Sequence, residues 1–194
     1  MPRFFTDAIQ TGTTTLTGDA ANHIRVLRLR PGDEVTLCDG AGTDYPCRIL
    51  GQGSDGVQLQ VLDNRPSESE PAVDITVCMA FAKADKLEHV VQKATELGAN
   101  RIVVYPSARC VARYDAAGLG KKLARWQKIA ESAAEQSGRG RIPQVTAARS
   151  WAELLQTAAA TDLPLLFYER ERDHALHQLA ASPWRAAAIL TGPE

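Results

Sequence analysis

The sequence predicts an α/β protein in two parts, a small β-barrel followed by a domain built on a parallel sheet. Short alternating strands between glycine turns occupy the chain up to residue 62. From residue 73 onward, apolar strands alternate with helical patterns. Between the two patterns lies the polar stretch NRPSESEP, residues 64–71, which is typical of a linker. We therefore expect domains over residues 1–66 and 73–194, joined by a linker over residues 67–72.

The first part contains four predicted strands and one predicted helix. The strands are expected around Arg3 and over residues 34–38, 44–50 and 56–62. In the last strand Val57, Leu59 and Val61 alternate with polar residues, which is the pattern of a half-buried strand. The glycines of residues 39–42 indicate a hairpin turn. The helix is expected over residues 19–29, where the sequence RPGD ends it.

The second part alternates strands and helices, which favours a parallel sheet covered by helices. Strands are expected over residues 73–81, 101–105, 163–168 and 186–190, and helices over 86–97, 121–137 and 174–181 and from Ser150 onward. Ser150 and Glu153 have the spacing of a capping box. Ligands of such sheets bind beyond the carboxyl ends of the strands, so the terminal TGPE is the best candidate for a ligand loop.

Composition points to an ordinary globular protein and gives no membrane signal. The 194 residues are 44% hydrophobic and 23% charged. No apolar run approaches the roughly 18–20 residues of a membrane span, and no basic-then-apolar leader opens the chain. We expect a cytoplasmic protein with no membrane partner. The four cysteines, none in a C-x-x-C pair, are then expected to be reduced, with a Cys38–Cys47 disulfide as the minor alternative.

Basic residues concentrate in the middle of a chain whose formal net charge is −1. Between Arg109 and Arg141 there are eight basic and three acidic side chains. This asymmetry indicates either one surface that faces a polyanion or a solvated helix face whose charges happen to be basic. Composition alone does not separate the two.

Two arginine motifs suggest recognition of phosphate or carbonyl groups. Arg139 and Arg141 lie on a glycine turn, GRGR, and their planar guanidinium groups suit such ligands. The alternative is a plain helix terminus with favourable cations. In HIRVLRLRPGD, Arg25 and Arg28 share a helix face and Arg30 follows it. That face can hold an RNA backbone, or it is simply the solvated side of an amphipathic helix.

Several other chemistries lack their motifs. His174 and His177 are three residues apart, but no third ligand is in sight, so no metal site is expected. The chain has no G-x-S-x-G, no P-loop and no G-x-G-x-x-G motif. Their absence weakens hydrolase, nucleoside-triphosphatase and dinucleotide-binding interpretations.

The stretches RFF, HIRVLRLRPGD, FAKADKLEHVVQKATELGANRI, AAEQSGRGRIP and LTGPE occur in the order found in one family. Over its whole length the chain resembles the RsmE family of bacterial ribosomal RNA methyltransferases. The resemblance implies an N-terminal PUA-like β-barrel and a C-terminal SPOUT-type parallel α/β domain with a trefoil knot. It also implies a homodimer that uses S-adenosylmethionine to methylate N3 of one uridine in 16S ribosomal RNA.

The chain departs from the family at its end. Family members continue after Gly-Pro-Glu with two more glycines, a helix, a strand and a second cofactor loop that closes the knot. We therefore expect a chain truncated at its C-terminus, with an incomplete knot. Cys110 also stands where relatives usually have serine. The main alternative function is a catalytically inactive RNA-binding protein without a complete cofactor site. A generic nucleotide-binding enzyme is disfavoured by the missing phosphate loop.

The resemblance also implies roles for particular side chains. The expected cofactor-binding residues are Leu166, Glu169, Thr191, Gly192, Pro193 and Glu194. The expected RNA-binding residues are Arg3, Arg25, Arg28, Arg30, Lys83, Arg109 and Arg141. Methylation at N3 requires loss of the imide proton and stabilisation of the charge on the uracil oxygens. Arg139 is our candidate donor to those oxygens or to the target phosphate, and Glu135 is a nearby acid in the same motif.

Overall fold

The computed structural model describes residues 1–7, 9–172, 175–179 and 183–193. The chain divides into two compact units. The first unit comprises Met1–Glu70 and Glu135–Ile142, and the second comprises Pro71–Ala134 and Pro143–Glu194. The sequence did not predict that residues 135–142 belong to the first unit. Within the described part of the chain, no helix is long and apolar enough to span a membrane.

The first unit is built on a six-stranded sheet with one helix, α1 (Gly18–Val26). Its strands are β1 (Arg3–Phe5), β2 (Thr13–Leu16), β3 (Glu34–Cys38), β4 (Thr43–Gly53), β5 (Gly56–Val61) and β6 (Arg65–Pro66). The order is β1-β3-β4-β5-β2, and β6 pairs with β4. Pairing is antiparallel except between β1 and β3. The four predicted strands are confirmed, whereas β2 and β6 were not predicted.

Both outer strands of this order contribute to the same core. Phe4 of β1 and Leu16 of β2 are buried in one cluster with Ile24 of α1 and Ile49 of β4. Because the two ends of the sheet cover one core, the sheet curves around it, as expected for a PUA-like barrel. Gly56 permits the close pairing of β2 and β5, since a Cβ at this position would collide with the backbone oxygen of Leu16.

Helix α1 ends three residues earlier than its predicted end at residue 29. Arg28 has a left-handed backbone with φ of 56°. Its amide donates to Arg25 O and the amide of Leu29 donates to Ile24 O, which together form a Schellman cap. Glycine usually occupies this position, and an L residue there costs about 1–2 kcal/mol. Arg28 is therefore held in an unfavourable conformation at the helix end.

A buried ion pair holds the segment that follows the long third helix. Arg139 is only 3% exposed, and its Nη2 lies 2.6 Å from Glu70 Oε2. The same carboxylate accepts from the backbone amides of Gly140 and Arg141 at 2.9 and 3.0 Å. A Cβ on Gly140 would collide with the side chain of Ser67. Residues 64–71, predicted to be a linker, thus contribute both β6 and this carboxylate to the first unit.

The second unit is a parallel α/β domain, which confirms the predicted class. Its strands are β7 (Asp74–Ala80), β8 (Arg101–Tyr105), β9 (Gln144–Ala147), β10 (Leu163–Leu166) and β11 (Ala186–Thr191), in the order β10-β11-β7-β8-β9. All neighbours are parallel. The helices are α2 (Ala84–Glu96), α3 (Ala116–Ser137), α4 (Trp151–Ala159) and α5 (Leu176–Leu179). Of the predicted helix over 174–181, residues 174, 180 and 181 lie outside the described residues.

The core of the second unit lies between the sheet and its helices. Ile102 and Val104 of β8 are fully buried with Leu87 of α2, Trp126 of α3 and Leu154 of α4. Because each helix packs on the sheet with one face, its apolar residues recur at helical spacing, and this spacing was visible in the sequence. The strand β9 was not predicted because it is short and only one of its four residues is buried.

The predicted cap of α4 is present. The Ser150 side chain accepts a hydrogen bond from the Glu153 amide at 3.2 Å. The Glu153 carboxylate in turn accepts from the amide of Arg149 at 2.7 Å. This reciprocal pair satisfies two amide donors near the start of the helix, which is the function of a capping box.

All four cysteines are buried and free. Burial raises the pKa of Cys38 to about 12. It also raises the pKa of Cys47 and of Cys78 to about 11. Since the thiolate is the reactive form, these three thiols are inert at neutral pH.

Removal of Glu70 leaves the buried guanidinium of Arg139 without its carboxylate. We expect Glu70→Ala to lower the free energy of unfolding by about 3–5 kcal/mol. The double variant Glu70→Ala/Arg139→Met removes both charges and should cost clearly less than the sum of its single variants. Urea denaturation measures all of these values, and Glu68→Ala, two residues away at an exposed position, is the matched control. Additive single effects would contradict the role assigned to this pair.

Candidate active site

The order of strands in the second unit defines one edge as the place for a ligand. From β7 the chain adds β8 and then β9 on one side, and it later places β11 on the other side of β7. The direction in which successive strands are added to the sheet therefore reverses between β7 and β11. In open parallel sheets, ligands bind outside the carboxyl ends of the strands at such a switch point. Here that edge carries the loops that follow Ala80, Tyr105, Leu166 and Thr191.

Thr191, the last residue of β11, contacts the two strands that follow β11 in the sheet order, β7 and β8. The Tyr105 hydroxyl, at the end of β8, donates to Thr191 O at 2.7 Å. The Thr191 hydroxyl contacts Met79 Sδ of β7 at 2.9 Å. Burial raises the pKa of Tyr105 to about 12, so its hydroxyl stays protonated as a donor at neutral pH. These contacts fix the point where the chain enters Gly192 and Pro193.

An open apolar depression runs along the whole of β10 and continues past its carboxyl end. The Phe167 amide donates to Leu190 O at 2.9 Å and extends the pairing of β10 with β11 by one residue. Leu166, Phe167 and Tyr168 are 61%, 48% and 53% exposed, which is unusual for large apolar side chains. They line a depression of about 380 Å³ together with Glu171 and Leu176. Its size and lining suit a cofactor-sized ligand.

A smaller, positively charged cavity lies at the loops that follow β7 and β11. Phe81 and Pro193 form part of its wall, and Lys83, Lys86 and Arg109 contribute the charged side chains. Its volume is about 170 Å³. The ring of Phe81 packs edge-on against Tyr114 with centroids 5.1 Å apart.

The predicted site residues of the second unit come together only in part. Lys83, Arg109 and Pro193 line the charged cavity, while Leu166 lines the apolar depression. Glu169 is exposed and its backbone oxygen accepts from Arg172. Glu194 lies outside the described residues.

The predicted catalytic residues already have protein partners in the first unit. Arg139 pairs with Glu70, as described above. Glu135 Oε1 lies 3.1 Å from His23 Nδ1, and the His23 ring packs edge-on against Phe4. A direct contact of either residue with RNA requires exchange of that partner.

The predicted RNA-binding residues of the first unit differ in accessibility. Arg3 is tied down, because it pairs with Asp44 and its Nη1 lies 3.1 Å from Cys38 Sγ. The exposed members of this set are Arg25, Arg28, Arg30 and Arg141. Arg25 donates to Gly53 O at 2.8 Å and Arg141 donates to Ala41 O at 3.1 Å, which orders both side chains.

Sequence reasoning missed Tyr105, Lys86, Phe167 and Tyr168. Tyr105 and Tyr168 were the last residues of predicted strands, so their place at a carboxyl edge was a usable signal. Lys86 gave no such signal. It lies in the first turn of α2 and lines the cavity because that turn packs beside the loop after β7, which the sequence does not show. Among the described residues, no group of three His, Cys, Asp or Glu side chains can hold a metal ion.

Two family models match the chain. A model described as an RNA methyltransferase domain matches residues 68–194. A second, described as an RNA methyltransferase PUA domain, matches residues 16–62. The second match ends before the polar stretch at residues 64–71, and the first begins within it, at residue 68.

Curated relatives carry one name, ribosomal RNA small subunit methyltransferase E. The protein of Bacillus subtilis is 34% identical over 158 residues, which are 81% of this chain and 62% of the relative. That of Mycobacterium tuberculosis is 33% identical over 197 residues, covering 98% of this chain and 75% of the relative. The chain thus spans less than two thirds of the Bacillus relative and three quarters of the mycobacterial one.

Solved structures are similar over nearly the whole chain. Ribosomal RNA small subunit methyltransferase E from Neisseria gonorrhoeae, bound to S-adenosyl methionine, is 29% identical with a TM-score of 0.80. The match covers 100% of this chain and 80% of that one. A putative methyltransferase from Legionella pneumophila, in complex with the same cofactor, is 25% identical with a TM-score of 0.80. That match covers 96% of this chain and 78% of the other.

Loss of the Tyr105 hydroxyl should loosen the end of β11. We expect Tyr105→Phe to lower the free energy of unfolding by about 1–3 kcal/mol, because Thr191 O loses its donor in a partly buried place. Tyr114→Phe is the matched control, since no hydrogen bond of that hydroxyl is found among the described residues. Urea denaturation measures both variants. Equal stability of the two would contradict the tether.

Proposed function

This chain belongs to the family of RNA methyltransferases with a PUA domain, and we propose that it methylates N3 of a uridine in 16S ribosomal RNA. The methyl donor is S-adenosylmethionine. One observation carries the proposal: the switch point of a parallel sheet places an apolar depression and a positively charged cavity on the same edge. A cofactor with a large apolar part and an RNA substrate need those two environments.

The apolar depression and the β11 loop are the proposed cofactor site. Leu166 and its neighbour Phe167 offer apolar surface, Glu169 offers an exposed carboxylate for a hydroxyl or cationic group, and Thr191 anchors the loop. Among the described residues, no atom outside the neighbouring positions lies within 4 Å of a Cβ placed on Gly192, so these residues leave the backbone there open to a ligand. Pro193 and Glu194 complete the proposed set. When bound, S-adenosylmethionine supplies an electrophilic methyl group.

The substrate must lose its imide proton and have negative charge on its carbonyl oxygens stabilised. Preorganised donors are the usual means of such stabilisation. Arg139 and Glu135 remain the predicted residues for this step. In the structure described here they are held by Glu70 and His23, so the reaction would require each of them to exchange its partner for the RNA.

Basic side chains of the first unit are the proposed contacts to the RNA backbone. Arg25, Arg28, Arg30 and Arg141 are exposed. Arg28 is the first of these contacts to consider, because its left-handed backbone conformation is unfavourable and such strain concentrates at functional sites. Arg3 supports this surface from within through its ion pair with Asp44.

The finer properties of the family are part of the same proposal. The chain acts in the cytoplasm as a homodimer, and its second unit takes the SPOUT form. The resemblance of its motifs supports each of these statements. A competing function is RNA binding without catalysis, in which the basic surface is used and the cofactor site is not.

Cofactor binding separates the two functions. We expect calorimetric titration of the full chain with S-adenosylmethionine to show saturable binding. Leu166→Asp should weaken that binding by about tenfold, because it introduces a charge into the apolar depression. Leu155→Asp is the matched control, as Leu155 is a comparably exposed leucine on α4.

Methyl transfer completes the test. Unmodified small ribosomal subunits and the full chain should yield 3-methyluridine, identified by mass spectrometry of the digested RNA. A folded chain that binds RNA but neither binds the cofactor nor transfers the methyl group would contradict the proposal and establish the competing function.

A further inference from the structure

Three cationic side chains surround the small cavity at the switch point. Lys83 and Lys86 come from the start of α2, and Arg109 comes from the loop after β8. Among the described residues, no acidic side chain lines this cavity. Three like charges around one concavity give it a strongly positive potential.

These cations are not neutralised by ion pairs. In the part of the chain that the structure describes, none of Lys83, Lys86 and Arg109 lies within ion-pair distance of an acid. Other cations of the same unit do have partners, since Arg125 pairs with Glu88 and Lys93 pairs with Glu96. Among the described residues Lys121, Lys122 and Lys128 also have no ion pair, so the particular feature of this cavity is that three such cations line one concavity.

The backbone adds to the positive character. Helix α2 begins beside the cavity, and its N-cap, Lys83, makes no side-chain capping hydrogen bond. Its first-turn amides thus lack the side-chain acceptor that many helices provide, and the helix dipole favours an anion at this end. The acid of that turn, Asp85, is not part of the lining.

The size of the cavity fits one small anionic group. Its volume of about 170 Å³ lies below the roughly 300–1,000 Å³ of sites for drug-sized ligands. The amino-acid end of S-adenosylmethionine carries an ammonium as well as a carboxylate, and the charged side chains of this lining are all cations, with no carboxylate among them to pair with the ammonium. A phosphodiester group has no positive charge and fits this lining better.

We propose that this cavity binds one backbone phosphate of the RNA, next to the nucleotide to be methylated. The inference rests on the proposed function and adds a subsite to it. Pro193 forms part of the cavity wall and belongs to the loop proposed to hold the cofactor. Occupation of the cavity therefore positions the RNA strand beside the methyl donor. Lys83, Lys86 and Arg109 are positioning residues for the substrate.

The test compares charge removal at the two ends of the same sheet. The first variant is Lys86→Gln/Arg109→Gln. The control is Arg101→Gln/Arg185→Gln, which removes the same charge from exposed positions at the amino ends of β8 and β11. Affinity for a 16S ribosomal RNA transcript is measured by fluorescence anisotropy over a series of salt concentrations, and affinity for S-adenosylmethionine is measured by calorimetry.

A plot of log K for RNA binding against log salt has a negative slope. For the cavity variant we expect this slope to be less steep by about 0.7, the value for one phosphate on a single strand. That change corresponds to about fourfold weaker RNA binding at physiological salt. The control variant should keep the parent slope, and both variants should keep the parent affinity for S-adenosylmethionine.

Two results for the cavity variant would overturn the phosphate site. Equal slopes for the cavity variant and the control show that the cavity does not contact RNA. Loss of cofactor affinity with unchanged RNA binding shows that the anion is the carboxylate of the cofactor. Suppose the slopes are equal but the parent chain binds the cofactor and transfers the methyl group. The phosphate site is then wrong and the proposed function stands. A parent chain that does not bind RNA fails the proposed function as well.

Discussion

The position of β11 between β10 and β7 is the constraint on which the site depends. The last strand of the chain is paired on both sides, six residues with β7 and four with β10. Its neighbours therefore fix the place where the chain leaves the sheet at Thr191. Without this order, the loops after β7, β10 and β11 would not share one edge of the sheet.

Two kinds of surface meet at this edge, and each has a physical cause. The apolar depression exists because β10 is an outer strand whose large side chains are left half exposed. The charged cavity exists because α2 begins directly after β7 and brings its lysines toward the loop that carries Arg109. The hydrogen bond from Tyr105 to Thr191 holds the loop between them. A methyl donor and a polyanion can then be bound at the same edge of the sheet.

The architecture of the second unit was largely predictable, because strands buried on both faces leave continuous apolar runs and the helices carry one apolar face each. The short strand β9 was not, since only one of its four residues is buried. In the first unit β2 was not predictable either, because one of its two buried residues is Thr14 and the strand therefore shows no apolar alternation. The burial of Arg139 in an ion pair could not be predicted from the sequence either. Its partner Glu70 is 69 residues away, and no local pattern reports a contact at that distance. An arginine on a glycine turn looks available for a ligand, whereas tertiary structure buries it.

We infer that the cofactor binds at the carboxyl edge of the second unit. Hydrogen exchange of the full chain, with and without saturating S-adenosylmethionine, tests it most directly. The account predicts slower exchange of amides in residues 81–83, 166–169 and 190–192, with no change at the amino edge around residues 74–76 and 100–101. Protection confined to the amino edge, or none anywhere under saturating conditions, would contradict it.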